Sequence, residues 1–359
     1  MIRHIAVGCV LVVLSCSAFA APVTPLPIRS MYVLGDSLSD QGNLLAATTA
    51  LGAATQQPGL PDPTHYFEGR FSNGGNYVDA LAAKLGIAVL PSLAGGTNFA
   101  FGGARTDYNV VEQPFGPFPP DAFPWSLSQE TDAFLAQAGG RRVNPTALFV
   151  VFSGSNALAD VLALRLDPAT TIAITVEGIR DAILAFKSAG ARTILVPNAP
   201  NLGKVPLVTA RGPAAVAFAT ALSVQYNAAL EAMLETIDGV DIIRFDTFAF
   251  LTDVVDNPAK YGFTNSTQPC YSGFVVPDPT ATECADPDAH EFAGEEEEWH
   301  RHQREAVGTV DQVLGNDVRV EHAQLQHQGQ SAYQQRERDR HPQRHGEGHR
   351  APTDSDRVA

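Results

Sequence analysis

Cations are scarce in this chain: 24 Lys and Arg stand against 39 Asp and Glu in 359 residues, a formal charge of −15 at neutral pH. That balance argues against a nucleic-acid partner and against simple attraction to an anionic membrane, so any lipid contact would run through apolar surface. Long apolar runs are lacking as well. The stretch Ile5 to Leu14 is too short to cross a bilayer, and no transmembrane span is expected. Cysteine is rare, with four in all, and no His or Cys pair has the spacing of a zinc site, so no metal is expected.

What stands at the N-terminus is Met1-Ile2-Arg3-His4, the apolar run, then Ser17-Ala18-Phe19-Ala20. This order reads as a secretory signal, residues 1–20, removed after Ala20, with export to a periplasmic or extracellular space. Val13-Leu14-Ser15-Cys16 loosely resembles a lipoprotein signal that would lipidate Cys16, although Leu14 is larger than such a motif prefers. Cys9 and Cys16 leave with the signal. In an oxidising compartment the remaining Cys270 and Cys284 most simply form a disulfide. The loop it closes is short, which places the expected stabilisation at about 3 kcal/mol in the chain-entropy view.

The 45% hydrophobic and 18% charged content is that of a globular domain. Met31 to Leu34, Ala147 to Phe152, Thr193 to Pro197 and Val240 to Phe245 are apolar runs suited to strands buried on both faces. Between them, residues 76–86, Ser126 to Ala138, Thr170 to Gly190 and Pro213 to Thr236 read as helices. Alternation at this spacing implies βαβ units, hence a three-layer α/β/α sandwich around a mainly parallel sheet.

The centre of the reading is Gly35-Asp36-Ser37-Leu38-Ser39-Asp40. Gly35 ends the first strand with a residue that turns sharply, and Asp36, Ser39 and Asp40 are N-capping types, so a helix beginning here would aim backbone N–H groups beside Ser37. Position 39 is Ser, which rules out the Gly-x-Ser-x-Gly elbow. The hexapeptide instead resembles the first motif of the GDSL (SGNH) esterases and lipases. Gly69-Arg70-Phe71-Ser72-Asn73-Gly74, ahead of the helix at 76–86, is similar to a stretch that borders the substrate cleft in that family.

Asn98-Phe99-Ala100-Phe101-Gly102-Gly103-Ala104 is similar to the family's second motif, and Ser153-Gly154-Ser155-Asn156 to its third. The resemblance spans residues 30 to 288. It implies a serine esterase or lipase working through an acyl-enzyme, with Ser37 as nucleophile. The N–H of Gly102 and the amide of Asn156 would form the oxyanion hole, and no organic cofactor is implied. Glycine at 102 would spare the substrate the space a Cβ takes. Ala157 stands where the family usually has Asp. The proline- and aromatic-rich stretch Tyr108 to Trp125, with Phe115, Phe118 and Phe123, either covers the core or forms a lid over the cleft.

One element of the family is missing. An Asp-x-x-His, which would supply the base and its orienting carboxylate, should follow Asp286-Pro287-Asp288, yet the chain runs through His290-Glu291-Phe292 into Glu295 to Glu298. Beyond residue 290 lysine vanishes, seven of the ten histidines appear, and no sustained apolar period survives. The domains are therefore drawn as 21–290 for the hydrolase and 291–359 for a polar tail. The tail is either natural or the product of a shift in reading frame near residue 290. His290, close to Asp286, is the candidate substitute base. Two other functions share these residues: a secreted binding protein on a decayed hydrolase scaffold, and a carbohydrate acetylesterase.

Overall fold

Strands without polar alternation need cover on both faces, and the chain provides it. In the computed structural model, which describes residues 28–55, 58–106, 126–163, 166–273 and 278–292, β1 (Ser30–Gly35), β2 (Ala147–Phe152), β3 (Thr193–Pro197) and β4 (Asp241–Phe245) lie side by side in that order, all parallel. Helices make the crossovers. α1 (Asn43–Thr55), α2 (Tyr77–Leu85) and α3 (Leu127–Ala138) lie between β1 and β2 in the chain, and α4 (Ser155–Leu162) and α5 (Pro168–Ala189) lead to β3. α6 (Pro206–Thr209) and α7 (Pro213–Leu234) precede β4, which α8 (Thr247–Asp256) follows. A separate parallel pair, β5 (Asn265–Pro269) with β6 (His290–Phe292), closes the described chain.

Side chains alternate across the sheet. Leu34, Phe149, Val151 and Ile194 pack on one face with Phe134 of α3, Ile183 and Phe186 of α5, and Leu222 and Leu230 of α7. Met31, Val33, Leu148, Val150 and Leu195 pack on the other with Val78 and Leu81 of α2. Two helical layers thus enclose one sheet, and β2 is buried at every position. The segment 97–101 runs along the free edge of β1: Val33 N–H donates to Thr97 O, and Phe99 and Phe101 N–H donate to the carbonyls of Val33 and Gly35. This fifth strand-like rail is what brings the second motif to the first.

The helix expected to start beside Ser37 starts instead at Asn43. Residues 36–39 form a turn in which the N–H groups of Ser39 and Asp40 both reach Asp36 O. Gly42 then takes φ +119°, a conformation open chiefly to glycine, before the helix begins. The expected helix from Thr170 begins earlier, at Pro168, because Asp167 caps it by accepting the Thr170 N–H. Among the described residues no helix is long and apolar enough to cross a membrane. The signal segment with Cys9 and Cys16, the aromatic stretch from Tyr108 to Trp125, and everything from residue 293 lie outside the described residues.

Candidate active site

Strand register assembles the site. β1 and β2 are parallel with Gly35 opposite Phe152, so Asp36-Ser37 and Ser153 to Asn156 leave the sheet at the same carboxyl edge. Phe101 is hydrogen-bonded to Gly35 at 3.2 Å, so Gly102 and Gly103 emerge there too. Open parallel sheets bind ligands along this edge.

Ser37 is half-buried, and neither its hydroxyl nor its N–H has a hydrogen-bond partner among the described residues. The residues around it are locked. Asp40, fully buried, accepts four backbone N–H groups: Gly42 and Asn43 on Oδ1 at 2.8 and 2.7 Å, Leu44 and Gly102 on Oδ2 at 3.1 and 2.9 Å. It therefore caps α1 and pins the second motif at once. Asn43 donates to the carbonyls of Asn98 and Ala100, and Asn98 donates back to Ser39 O at 2.7 Å. The Gly-Arg-Phe-Ser-Asn-Gly stretch joins through Asp79, which receives Arg70, Gln41 and the Asn76 N–H, while Asn76 donates to Asp40 O.

Asn156 opens α4, and its amide donates to Ala104 O at 3.0 Å, which leaves its second amide hydrogen available. Ala157, where an acid is usual, is buried and apolar. One turn further on, Asp160 makes a buried bidentate pair with Arg105, so this helix is tied to the second motif by an acid at another position. From α7, Tyr226 donates to Ser153 O at 2.8 Å and sets the third motif. Gly154, at φ +128°, leaves room for that ring: a Cβ would stand 2.4 Å from the phenolic oxygen.

Two expectations change in detail. Gly102 does leave out a Cβ for a steric reason, but the space belongs to Phe71, whose ring carbon would lie 2.1 Å from that Cβ. Its N–H is also engaged by Asp40. The next amide in the turn, that of Gly103, has no partner among the described residues.

Burial sets the local acidities. It pushes the Asp36 carboxyl up to about 7, against opposing backbone N–H groups of Leu38 and of Asp36 itself. Asp40 rises to about 6, burial outweighing its four N–H donors. Glu130 of α3, which the sequence did not single out, is held well above the usual range by burial, opposed by the N–H groups of Gly35 and Phe101 and reinforced by Asp36 and Asp40. The phenol of Tyr77, buried and bonded to Ser39 Oγ at 2.8 Å, is likewise raised by burial.

Neither described histidine hydrogen-bonds to Ser37. His290 sits at the start of β6, half-exposed, with Nδ1 3.1 Å from Asp286 O. His65 lies 3.1 Å from Asp62 Oδ2, in an Asp-x-x-His spacing that the sequence reading passed over, and stacks on Tyr271. The Cys270 and Cys284 sulfurs stand in disulfide geometry, with His290 close to them. Paired in that way they would not ligate a cation.

A mainly parallel sheet covered by helices on both faces, with the three motifs leaving it at one carboxyl edge, places the chain in the class of three-layer α/β/α folds. The particular family follows from comparison. The profile described as GDSL-like Lipase/Acylhydrolase matches residues 31–290, and the chain belongs to that family. A GDSL esterase/lipase of Arabidopsis thaliana is 28% identical over 333 residues, covering 81% of this chain and 87% of that protein. The phosphatidylcholine-sterol acyltransferase of Aeromonas hydrophila is 25% identical over 282 residues, covering 78% and 76%. The chain is thus a hydrolase of the ester-cleaving class.

Proposed function

We propose that this is an exported serine ester hydrolase in which Ser37 attacks the acyl carbonyl and water then releases the acid from the acyl-enzyme. The observation that carries the reading is the convergence of three motif ends on one sheet edge around a serine whose hydroxyl and N–H are both free. The N–H of Ser37, the free hydrogen of Asn156 and the Gly102-Gly103 turn would receive the oxyanion. Gly102 itself serves only if Asp40 releases its N–H, whereas Gly103 needs no such release. The signal-like N-terminus and the paired cysteines support export.

The domain reading is carried forward with one adjustment. Phe292 is buried against Leu38, Phe152 and Leu251, and Glu291 is buried too, so the packed unit runs two residues past 290. Leu38 is the residue after the nucleophile, and the chain therefore leaves β6 beside the site. That is where a base would have to enter, and the residues that follow, 293–359, contain no Asp-x-x-His. We therefore favour a shift of reading frame, now placed just after residue 292. Resequencing the gene across codons 285 to 300 tests it: an unbroken frame confirmed by tail peptides from the native source would contradict it.

A second reading, a binding protein on a decayed scaffold, is favoured by one fact: no described histidine reaches Ser37. Hydrolysis of a short-chain nitrophenyl ester, together with labelling by an organophosphonate, separates the two. Turnover that Ser37→Ala abolishes, with label on the Ser37 peptide, supports the hydrolase. Substrate-analogue binding without label or turnover supports the decayed form.

A further inference from the structure

Glu130 is a buried acid, at 0% exposure, and no cation pairs with it among the described residues. Both of its oxygens are used. Oε2 accepts the Gly35 N–H at 2.8 Å, and Oε1 accepts the Phe101 N–H at 3.2 Å, which is shared with Gly35 O. Gly35 is two residues before Ser37, and Phe101 is the residue before Gly102. One carboxyl group thus spans the last peptides of the two rails that carry the nucleophile and the second motif.

The side chain reaches this point because α3 is anchored there. Leu127 N–H donates to Arg105 O at 2.6 Å and Ser128 N–H to Thr106 O at 3.3 Å, so the first turn of α3 starts at the exit of the second motif. The charged groups facing Glu130 are Asp36 and Asp40, both acids, which makes its placement electrostatically unfavourable. A leucine would remove that cost, strand the Gly35 N–H and leave the Phe101 N–H with Gly35 O alone. A glutamine offers one acceptor and would turn an NH2 toward the other donor, whereas a carboxyl presents two coplanar acceptors.

We propose that Glu130 is a positioning residue for ester hydrolysis, a clamp that fixes the spacing between the Ser37 turn and the Gly102-Gly103 turn. The proposal rests on the reading of Ser37 as nucleophile. A shift of one rail against the other would misplace the oxyanion donors relative to the hydroxyl, and such misplacement acts on kcat more than on KM.

The test compares the full chain with Glu130→Gln and Glu130→Ala on a short-chain nitrophenyl ester, alongside amide hydrogen exchange at Gly35 and Phe101. Expected for Glu130→Gln is a loss of about tenfold in kcat, with KM within about twofold, and for Glu130→Ala about a hundredfold. Exchange should quicken at Gly35 or Phe101 in the first variant and, in the second, most at Gly35, since the Phe101 N–H keeps Gly35 O. If Glu130→Ala does not fold, Glu130→Gln, which keeps one bond and the volume, decides alone. A folded Glu130→Gln with wild-type kcat overturns the proposal even if exchange quickens, because the bond is then only structural. Lower kcat with unchanged exchange at both amides also overturns it. Ser37→Ala reports on the underlying reading separately: activity that survives there removes the nucleophile assignment, whatever the exchange rates show.

Discussion

The sheet edge that carries Ser37 and the segment that carries His290 are held by different means. At the edge, buried polar groups join distant parts of the chain: Asp40 to Gly102, Asn43 to Asn98, Asn98 to Ser39, Asn156 to Ala104 and Arg105 to Asp160. Among the described residues of 263–292, Phe292 packs against Leu38, but the polar ties are few and mostly exposed, such as Asp278 with Thr280 and Ser272 with Thr282, beside a three-residue strand and the Cys270–Cys284 pair. Buried networks in low dielectric rigidify, while exposed polar contacts are individually weak. The polar network around Ser37 is thus built into the fold, whereas the segment that ends at His290 is joined to it by fewer buried polar bonds.

Four substitutions test that contrast. The largest effect belongs to Asn156→Ala, which removes the proposed oxyanion donor and is expected to lower kcat by about a hundred- to a thousandfold with little change in KM, read by steady-state kinetics. Asp160→Ala removes the bidentate partner of the buried Arg105 and should cost about 3–5 kcal/mol of stability in denaturant unfolding, the usual scale for breaking a buried pair. A loss under 1 kcal/mol would mean the edge is not braced through this pair.

The third change concerns pH. Asp36 has its folded-state pKa raised to about 7 from an ordinary 3.8, so the stability tied to its protonated form is complete below about 4 and is lost as pH rises through about 7. Asp36→Asn carries no such loss. Its melting temperature relative to wild type is expected to rise between pH 4.5 and 8, and a difference that stays flat would contradict the burial argument. The smallest effect is expected for His290→Ala. Its ring meets the Asp286 carbonyl and not Ser37, so ester hydrolysis should stay within about twofold of wild type. A loss of tenfold or more would restore His290 as the base and blur the contrast.

The same contrast governs what could be read from the residues alone. β2 was legible because six unbroken apolar residues admit little else, and the convergence of three motifs followed once parallel strands were inferred. The helix start at 43 was not, because Asp36, Ser39 and Asp40 are all capping types and only tertiary context selects Asp40. Glu130 was invisible for a related reason. An acid in the first turn of a helix is what the helix dipole favours anyway, and its true partners are 95 and 29 residues away. The Gly102 position was recognisable as a glycine that needs space, but nothing local says that Phe71 takes the space and Asp40 the N–H.

The most direct measurement is a crystal structure of the chain after reaction with an organophosphonate. The account predicts phosphorus bonded to Ser37 Oγ, with the phosphoryl oxygen within about 3 Å of the Ser37 N–H, the Asn156 amide and an N–H of the Gly102-Gly103 turn. An adduct on another residue, or a phosphoryl oxygen turned to solvent away from all three donors, would contradict it.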